Sequence, residues 1–375
     1  MRAKPLFLLP ALGLLLACQS SSQSQQRAER QEGVPAGFKV EMFAENLGRA
    51  RFMAFGPDGV LYVSSIRAGT VLALADRDKD GRADEVITFA DGLRLPHGLA
   101  WKDGWLYVGE THQVARLRDT DGDMRADARE VVVPDLPAAK MHFTRTIGFG
   151  PDGGLYVSVG SSCNVCEDEP RRAAVLRFNA DARLPVGQGS GGEIYARGLR
   201  NAVGFVWRPG TTELWATDNG RDWLGDDLPP EELNLVVKGG DYGWPYCYGN
   251  RVTDPEYNNP ARCRNTQPAT FEMQAHSAPL GLTFYDGKMF PDEYRGDCYI
   301  AFHGSWNRSV PTGYKVVRVR FKDGKPVAIE DFIDIWFKGG RVSGRPVDVK
   351  VGPDGALYIS DDHGGRIYRV TYAKP

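Results

Sequence analysis

Short apolar runs alternate with polar turn residues along most of the chain, and one phrase recurs. Phe55-Gly56-Pro57-Asp58-Gly59-Val60-Leu61-Tyr62-Val63 is its first copy, and Trp101-Lys102-Asp103-Gly104-Trp105-Leu106-Tyr107-Val108 the second. Phe149-Gly150-Pro151-Asp152-Gly153-Gly154-Leu155-Tyr156-Val157 is the third, and a looser fourth joins Trp207-Arg208-Pro209-Gly210 to Leu214-Trp215-Ala216. A degenerate fifth covers Tyr294-Arg295-Gly296-Asp297-Cys298-Tyr299-Ile300-Ala301, and Val351-Gly352-Pro353-Asp354-Gly355-Ala356-Leu357-Tyr358-Ile359 is the sixth. In each unit Pro presets one backbone dihedral and Gly accepts positive φ, so Pro-Asp-Gly predicts a turn. The apolar-aromatic run after it predicts a buried strand. Further strands follow, as in Val71-Leu72-Ala73-Leu74, Val175-Leu176-Arg177-Phe178 and Arg366-Ile367-Tyr368-Arg369-Val370.

A turn-linked strand pair repeated six times predicts an all-β chain, a six-bladed β-propeller. A blade buries its faces only against its neighbours, so the ring must close. The strand-like segment Phe38–Phe43 is expected to complete the last blade. Two stacked β-domains would not spread one phrase along the whole chain. The stretches 180–205, 218–284 and 302–315 exceed what blades need, and long inserts on a rigid ring are where function usually resides.

Composition agrees with this picture. The 375 residues include 44 Gly and 24 Pro, above average usage, which disfavours a helical bundle. An apolar content of 42% excludes a disordered chain. A net charge of −2 gives no general attraction to nucleic acid or acidic lipid.

Before the repeats, Arg2 and Lys4 precede the apolar run Leu6–Leu16, too short for a usual membrane span. Leu15-Leu16-Ala17-Cys18 resembles a bacterial lipobox, in which cleavage precedes a lipidated Cys18; an ordinary secretory signal with an incidental Cys is the alternative. Residues 1–17 are thus expected to be a signal peptide, 18–33 a polar tether and 34–375 the propeller, held at the periplasm-facing side of a bacterial envelope by lipid alone. Export implies an oxidising compartment. Cys163-Asn164-Val165-Cys166 lacks the following His of a haem motif, and no further zinc ligands are near, so a Cys163–Cys166 disulfide is expected. Cys247–Cys263 is a plausible second pair, leaving Cys298 as a buried thiol.

Two aspartate ladders stand out. Asp76, Asp78, Asp80 and Asp84 share their spacing with Asp119, Asp121, Asp123 and Asp127. Such spacing in a turning loop converges oxygens on one point, as Ca2+ requires. Gly81 suits the sharp turn; the second loop has Met124 there but Glu130 at its twelfth position. The alternative is two solvated acidic hairpins. Either way the loops sit within blades, where a metal would serve stability.

Reactive residues are few. His142 precedes the third copy, Arg200 and Asn201 the fourth, and Arg345 the sixth; Asp218 to Arg221 follow the fourth copy's strand and His303 to Arg308 the fifth's. Comparable positions in a ring gather at one mouth, which would carry Arg200, Arg308 and Arg345 beside His142. Clustered guanidinium groups in a near-neutral protein favour a multiply anionic ligand.

The blades, His142-Phe143-Thr144-Arg145, Arg197-Gly198-Leu199-Arg200-Asn201 and the run Leu235 to Pro245 (LVVKGGDYGWP) together resemble the pyrroloquinoline-quinone (PQQ) dependent glucose/sorbosone dehydrogenases, over residues 34–373. The resemblance implies PQQ and Ca2+ on one face of the propeller and an aldose or sorbosone-like sugar as substrate. His142 would be the general base as hydride passes to PQQ, and Arg200 would steady the developing oxyanion. Asn201 would position the cofactor, Trp306 stack on it, and Asn307, Arg308 and Arg345 face its carboxylates. Asn219, with the backbone carbonyls of Gly220 and Arg221, would hold the catalytic Ca2+. Asn219 stands where well-studied members carry a longer amide, and the stretch Asp222–Asp227 is longer than in the glucose enzymes. The chain has no haem motif, so electrons would pass to a separate acceptor, a cytochrome or a quinone. Two other readings are a Ca2+-dependent lactonase, which would want several carboxylate or Asn ligands in the central tunnel where the expected mouth is Arg-rich, and a non-enzymatic surface propeller that binds glycan or protein, which would have no reason to gather His142, Arg200, Arg308 and Arg345.

Overall fold

The computed structural model describes residues 31–138, 140–179 and 192–373. Cys18, the signal peptide and most of the expected tether lie outside them. Among the described residues six sheets, each built on four antiparallel strands, follow one another along the chain, one per copy of the repeat. The first blade, for example, is Ala50–Phe55, Leu61–Ser65, Thr70–Ala75 and Glu85–Ala90. The last is Pro346–Val351, Leu357–Asp361 and Arg366–Tyr372, completed by Phe38–Ala44 from the beginning of the propeller. That strand pairs with Arg366–Tyr372 from Phe38 opposite Tyr372, which closes the ring as expected.

The core explains why the repeat is spelled as it is. Six hydrophobic clusters each straddle the boundary between two neighbouring blades. At five boundaries the aromatic of a blade's second strand meets an aromatic on the next blade's first strand, edge to face. Tyr62 packs on Trp101 at 5.0 Å, Tyr107 on Phe149 at 4.8 Å and Tyr156 on Trp207 at 4.9 Å. Trp215 meets Phe284, and Tyr358 meets Phe55 across the closure. Such pairs add to the area they bury. The turn aspartate caps the following strand: Asp58, Asp152 and Asp354 each accept from the amide two residues on, at 3.1 Å.

Two boundaries shift from expectation. Residues 31–33, expected in the tether, already pack on the propeller: Gly33 accepts from the Asp334 amide (2.8 Å) and Glu32 pairs with Lys338. A Cβ at Gly33 would lie 1.9 Å from the Asp334 oxygen, so only Gly permits this approach. Gly240–Asp241, from the LVVKGGDYGWP run, adds a short parallel strand to the third blade beside Glu193–Arg197. Both expected disulfides, Cys163–Cys166 and Cys247–Cys263, are present, and Cys298 is a buried free thiol.

Candidate active site

In an up-and-down blade the first-to-second and third-to-fourth strand turns lie at one end, and the remaining connections at the other. The Pro-Asp-Gly turns and aspartate loops therefore share one face. His142, Arg200, Asn201, Asn219 to Arg221, Trp306 to Arg308 and Arg345 share the opposite one.

His142 is held from both sides. Arg145, fully buried, donates from Nη1 to the His142 carbonyl (2.9 Å) and from its other nitrogen to the Pro137 carbonyl, gripping its own loop. His142 Nδ1 lies 2.9 Å from both the carbonyl and the hydroxyl oxygen of Ser161. The carbonyl can only accept, and the hydroxyl already donates to the Cys163 carbonyl at 2.7 Å. Nδ1 therefore carries the proton, and Nε2 keeps its lone pair with no protein partner among the described residues. Burial and then the Arg200 charge push the imidazole down to about 3, so it is neutral near pH 7. Gly160 makes room: a Cβ there would lie 2.6 Å from both His142 Cβ and Asn201 Oδ1.

Arg200 is buried and fully engaged. Nε donates to the Asn164 carbonyl (2.9 Å), Nη1 to the Asn219 carbonyl (3.1 Å), and Nη2 to Asn164 Oδ1 (2.9 Å) and Asp222 Oδ2 (3.3 Å). Asp222 Oδ1 also accepts from Asn307 (2.9 Å), and Asp227 accepts from Arg308 (2.8 Å). The long segment Asp222–Asp227 thus supplies carboxylates to three of the groups expected to face an anionic ligand. Arg308 keeps a buried Nε without a partner. Arg345 donates to the Gly304 carbonyl (3.2 Å) and lies 4.9 Å over the Tyr314 ring. Beside it, His303 donates to Asp362 (2.9 Å), which also takes Arg51 (2.9 Å), and these partners hold the Asp362 carboxyl well below the usual range. Trp306 is 65% exposed and sits edge to face with Trp223, itself 68% exposed, at 5.2 Å.

Asn219 donates to the Pro279 carbonyl (2.6 Å), while the Arg221 side chain turns away to Asp254 and Glu256. The backbone between them is pinned by Glu231, whose carboxylate accepts from the Gly220 amide (2.8 Å) and the Ala278 amide (3.1 Å). Burial raises Glu231 to about 7.

Several positioning residues were given no role from the sequence. Asp218 accepts from the amides of Arg200 (2.9 Å) and Asn201 (2.6 Å), and Asp361 from that of Arg345 (2.8 Å). Glu110 does the same for Arg94 in the second blade. All three acids stand four residues after the Leu of their repeat, in Leu106–Glu110, Leu214–Asp218 and Leu357–Asp361. That shared register was a readable signal. Asn164, Asp222 and Glu231 had none, because their partners are distant in sequence.

The aspartate loops are partly corrected. Asp76, Asp78 and Asp84 converge, as do Asp119, Asp121 and Asp127. Asp80 and Asp123 do not join them: each accepts from the amide two residues on, Arg82 and Arg125, at 2.8 Å. Glu130 lies on a strand and pairs with Arg116 (2.6 Å), away from its loop.

Residues 33–373 match the family model described as TrAA12-like. An uncharacterised protein of Borreliella burgdorferi is 32% identical, with 91% of each chain covered. Aldose sugar dehydrogenase YliI of Escherichia coli is 26% identical over 90% of this chain and 94% of its own. The iodide structure of the Trichoderma reesei carbohydrate-active enzyme of family AA12 superposes with a TM-score of 0.79 at 23% identity, covering 91% of this chain and 97% of that one.

Proposed function

We propose, from the premise that the chain belongs to the TrAA12-like family of PQQ-dependent sugar dehydrogenases, that it oxidises an aldose or sorbosone-like sugar with His142 as general base. The observation that carries this is the fixed Nδ1–H tautomer, which leaves the Nε2 lone pair free at a mouth lined by guanidinium and amide groups. The donor set suits a planar polycarboxylate: Arg308 has an orphaned buried Nε, and Asn307, Arg345 and Asn201 lie on the same face of the propeller. Asn219 Oδ1 and the Gly220 and Arg221 carbonyls offer neutral oxygens of the kind Ca2+ accepts. When bound, PQQ supplies the two-electron acceptor and Ca2+ the Lewis acid.

The chain's own work is then to take the proton and hold charge. His142 Nε2 receives the hydroxyl proton, and the imidazolium that forms stays hydrogen-bonded to Ser161. Arg200, locked by Asn164 and Asp222, would hold a fixed positive charge at this mouth to offset negative charge on the bound acceptor. The lactonase reading is disfavoured, because the acids nearest Asn219 are spent on amides: Asp218 on Arg200 and Asn201, Glu231 on Gly220 and Ala278. Electrons go to a separate cytochrome or quinone. The two disulfides suit an exported protein anchored through Cys18.

Reconstitution with PQQ and Ca2+, followed by dye reduction with a panel of aldoses and sorbosone, tests the reading. No PQQ binding at micromolar concentration would sink it. The pH profile is a second check. A base at the ordinary 6.5 would lose its reactive neutral form as pH falls through 6.5. With His142 pushed down to about 3, single-turnover sugar oxidation is expected to hold steady from pH 8 down to about pH 5. An acid limb near 6.5 that persists in Glu231→Gln, whose own carboxyl burial raises to about 7, would count against His142.

We also propose structural Ca2+ in the two aspartate loops, supported by the convergent triads and by the buried, unpartnered Asp76 Oδ1. Chelation should lower the melting temperature and Ca2+ restore it. Asp78→Asn with Asp121→Asn should abolish that response; a chelator-insensitive wild type would mark the loops as solvated hairpins.

A further inference from the structure

Four residues, Ser161 to Asn164, touch both sides of the site. Ser161 fixes His142 Nδ1 through its carbonyl and hydroxyl, and that hydroxyl is itself aimed by the Cys163 carbonyl. Asn164 presents its carbonyl and Oδ1 to Arg200, each at 2.9 Å. Its Oδ1 also accepts from the Asp222 amide (2.8 Å), and its Nδ2 donates to the Asp222 carbonyl (3.2 Å). Asp222 in turn reaches Asn307. Asn164 is therefore where connections from the third, fourth and fifth blades are tied together.

The loop carrying it has little backbone support. Ser161 donates its amide to the Arg200 carbonyl (2.8 Å), but among the described residues no backbone-to-backbone bond joins 162–168 to the blades. The turn around Asn164 is closed by the Cys163–Cys166 disulfide and by Asp168, whose carboxylate accepts from the Ser162 amide (2.5 Å). Both cysteines are half-buried, within reach of a small reductant. The second disulfide, Cys247–Cys263, lies in the insert after the fourth blade's third strand; both of its cysteines are buried, although the adjoining Tyr246 hydroxyl donates to Glu167 beside Cys166 (2.5 Å).

We propose that Asn164 is a positioning residue for the reaction, aiming Arg200 and Asp222, and that the Cys163–Cys166 disulfide holds it and Ser161 in place, so that the oxidised loop is the competent form. This rests on the sugar-dehydrogenase reading for its kinetic consequence, though not for its structural one. A short cross-linked loop restricts both ends of the clasp at once; opened, it leaves Asn164 free to turn to solvent and the Ser161 hydroxyl without a fixed acceptor.

The test uses the full chain, as wild type, Asn164→Ala, Asn164→Asp and the Cys163→Ser/Cys166→Ser double variant. In the cofactor-free protein, nitrogen NMR of labelled histidine reads the His142 tautomer. The wild type should show one Nδ1–H form and the double variant a mixture of tautomers. In the PQQ-loaded enzyme, Asn164→Ala and the double variant should lose roughly 10- to 100-fold in kcat, with PQQ stoichiometry kept. Asn164→Asp, which retains the acceptor for Arg200, should recover part of the loss. Reductant should reproduce the loss in the wild type, with recovery on reoxidation, and leave the double variant unmoved. A single Nδ1–H tautomer with wild-type kcat in the double variant would overturn the proposal. A wild type that binds no PQQ would sink the function reading alone, and the tautomer measurement would still decide this one.

Discussion

His142→Ala is expected to bind PQQ with wild-type stoichiometry and to lose about 10²- to 10⁴-fold in the rate of sugar oxidation, the usual contribution of a positioned general base. The size of the effect follows from how completely the residue is prepared. Its tautomer is set by Ser161, its backbone is gripped by Arg145, and burial beside Arg200 keeps it neutral. Two neighbouring histidines are otherwise committed: His303 is bonded to Asp362 and faces Arg345, and His97 is fully buried. Single-turnover kinetics with a dye acceptor reads the chemical step directly. A variant that retained the wild-type rate would remove His142 from the chemistry.

Phe38→Ala is expected to cost about 3–5 kcal/mol of stability, in the range of large-to-small changes at fully packed aromatic sites. Phe38 is 6% exposed and lies in edge-to-face contact with four rings: Phe290 at 4.8 Å, Tyr294 and Phe332 at 5.0 Å, and Tyr372 at 4.9 Å. Three of these rings belong to the fifth blade or the turn that leads into it, and one to the sixth, so Phe38 joins two blades from a strand supplied by the opposite end of the chain. Removing it weakens the closure on which every other blade depends. Urea unfolding followed by tryptophan fluorescence measures the loss. A cost below about 1 kcal/mol would mean that the ring closes without this contact.

The two variants probe parts of the molecule that differed in how far the sequence revealed them. Ring closure was readable: Phe38–Phe43 has strand character, precedes the first copy of the repeat and is needed by the sixth. The aromatic in Leu-Tyr and the one at the head of the next phrase were also visible, although not that they touch across blade boundaries. At the site, the repeat supplied an address for each residue, because positions equivalent within blades share a face. His142, Arg200, Asn201, Asn219, Asn307, Arg308 and Arg345 accordingly lie on one face. Their partners stayed hidden. Asn164 is 36 residues from Arg200 and Asp222 is 85 from Asn307, and nothing in local pattern couples such distances.

By itself, then, the sequence determined the blade count, the closing strand, the Cys163–Cys166 pair and the common face on which the candidate site residues fall. These follow from turn residues and alternating apolar positions, which act over a few residues and are copied six times. Only the tertiary structure decided which nitrogen of His142 is free, that Arg200 is clasped by Asn164 and Asp222, and that three of the four carboxylates in each aspartate ladder converge. Those depend on hydrogen-bond partners brought within 3 Å or so by the closing of the ring, and a buried polar group takes whichever partner that closure leaves beside it.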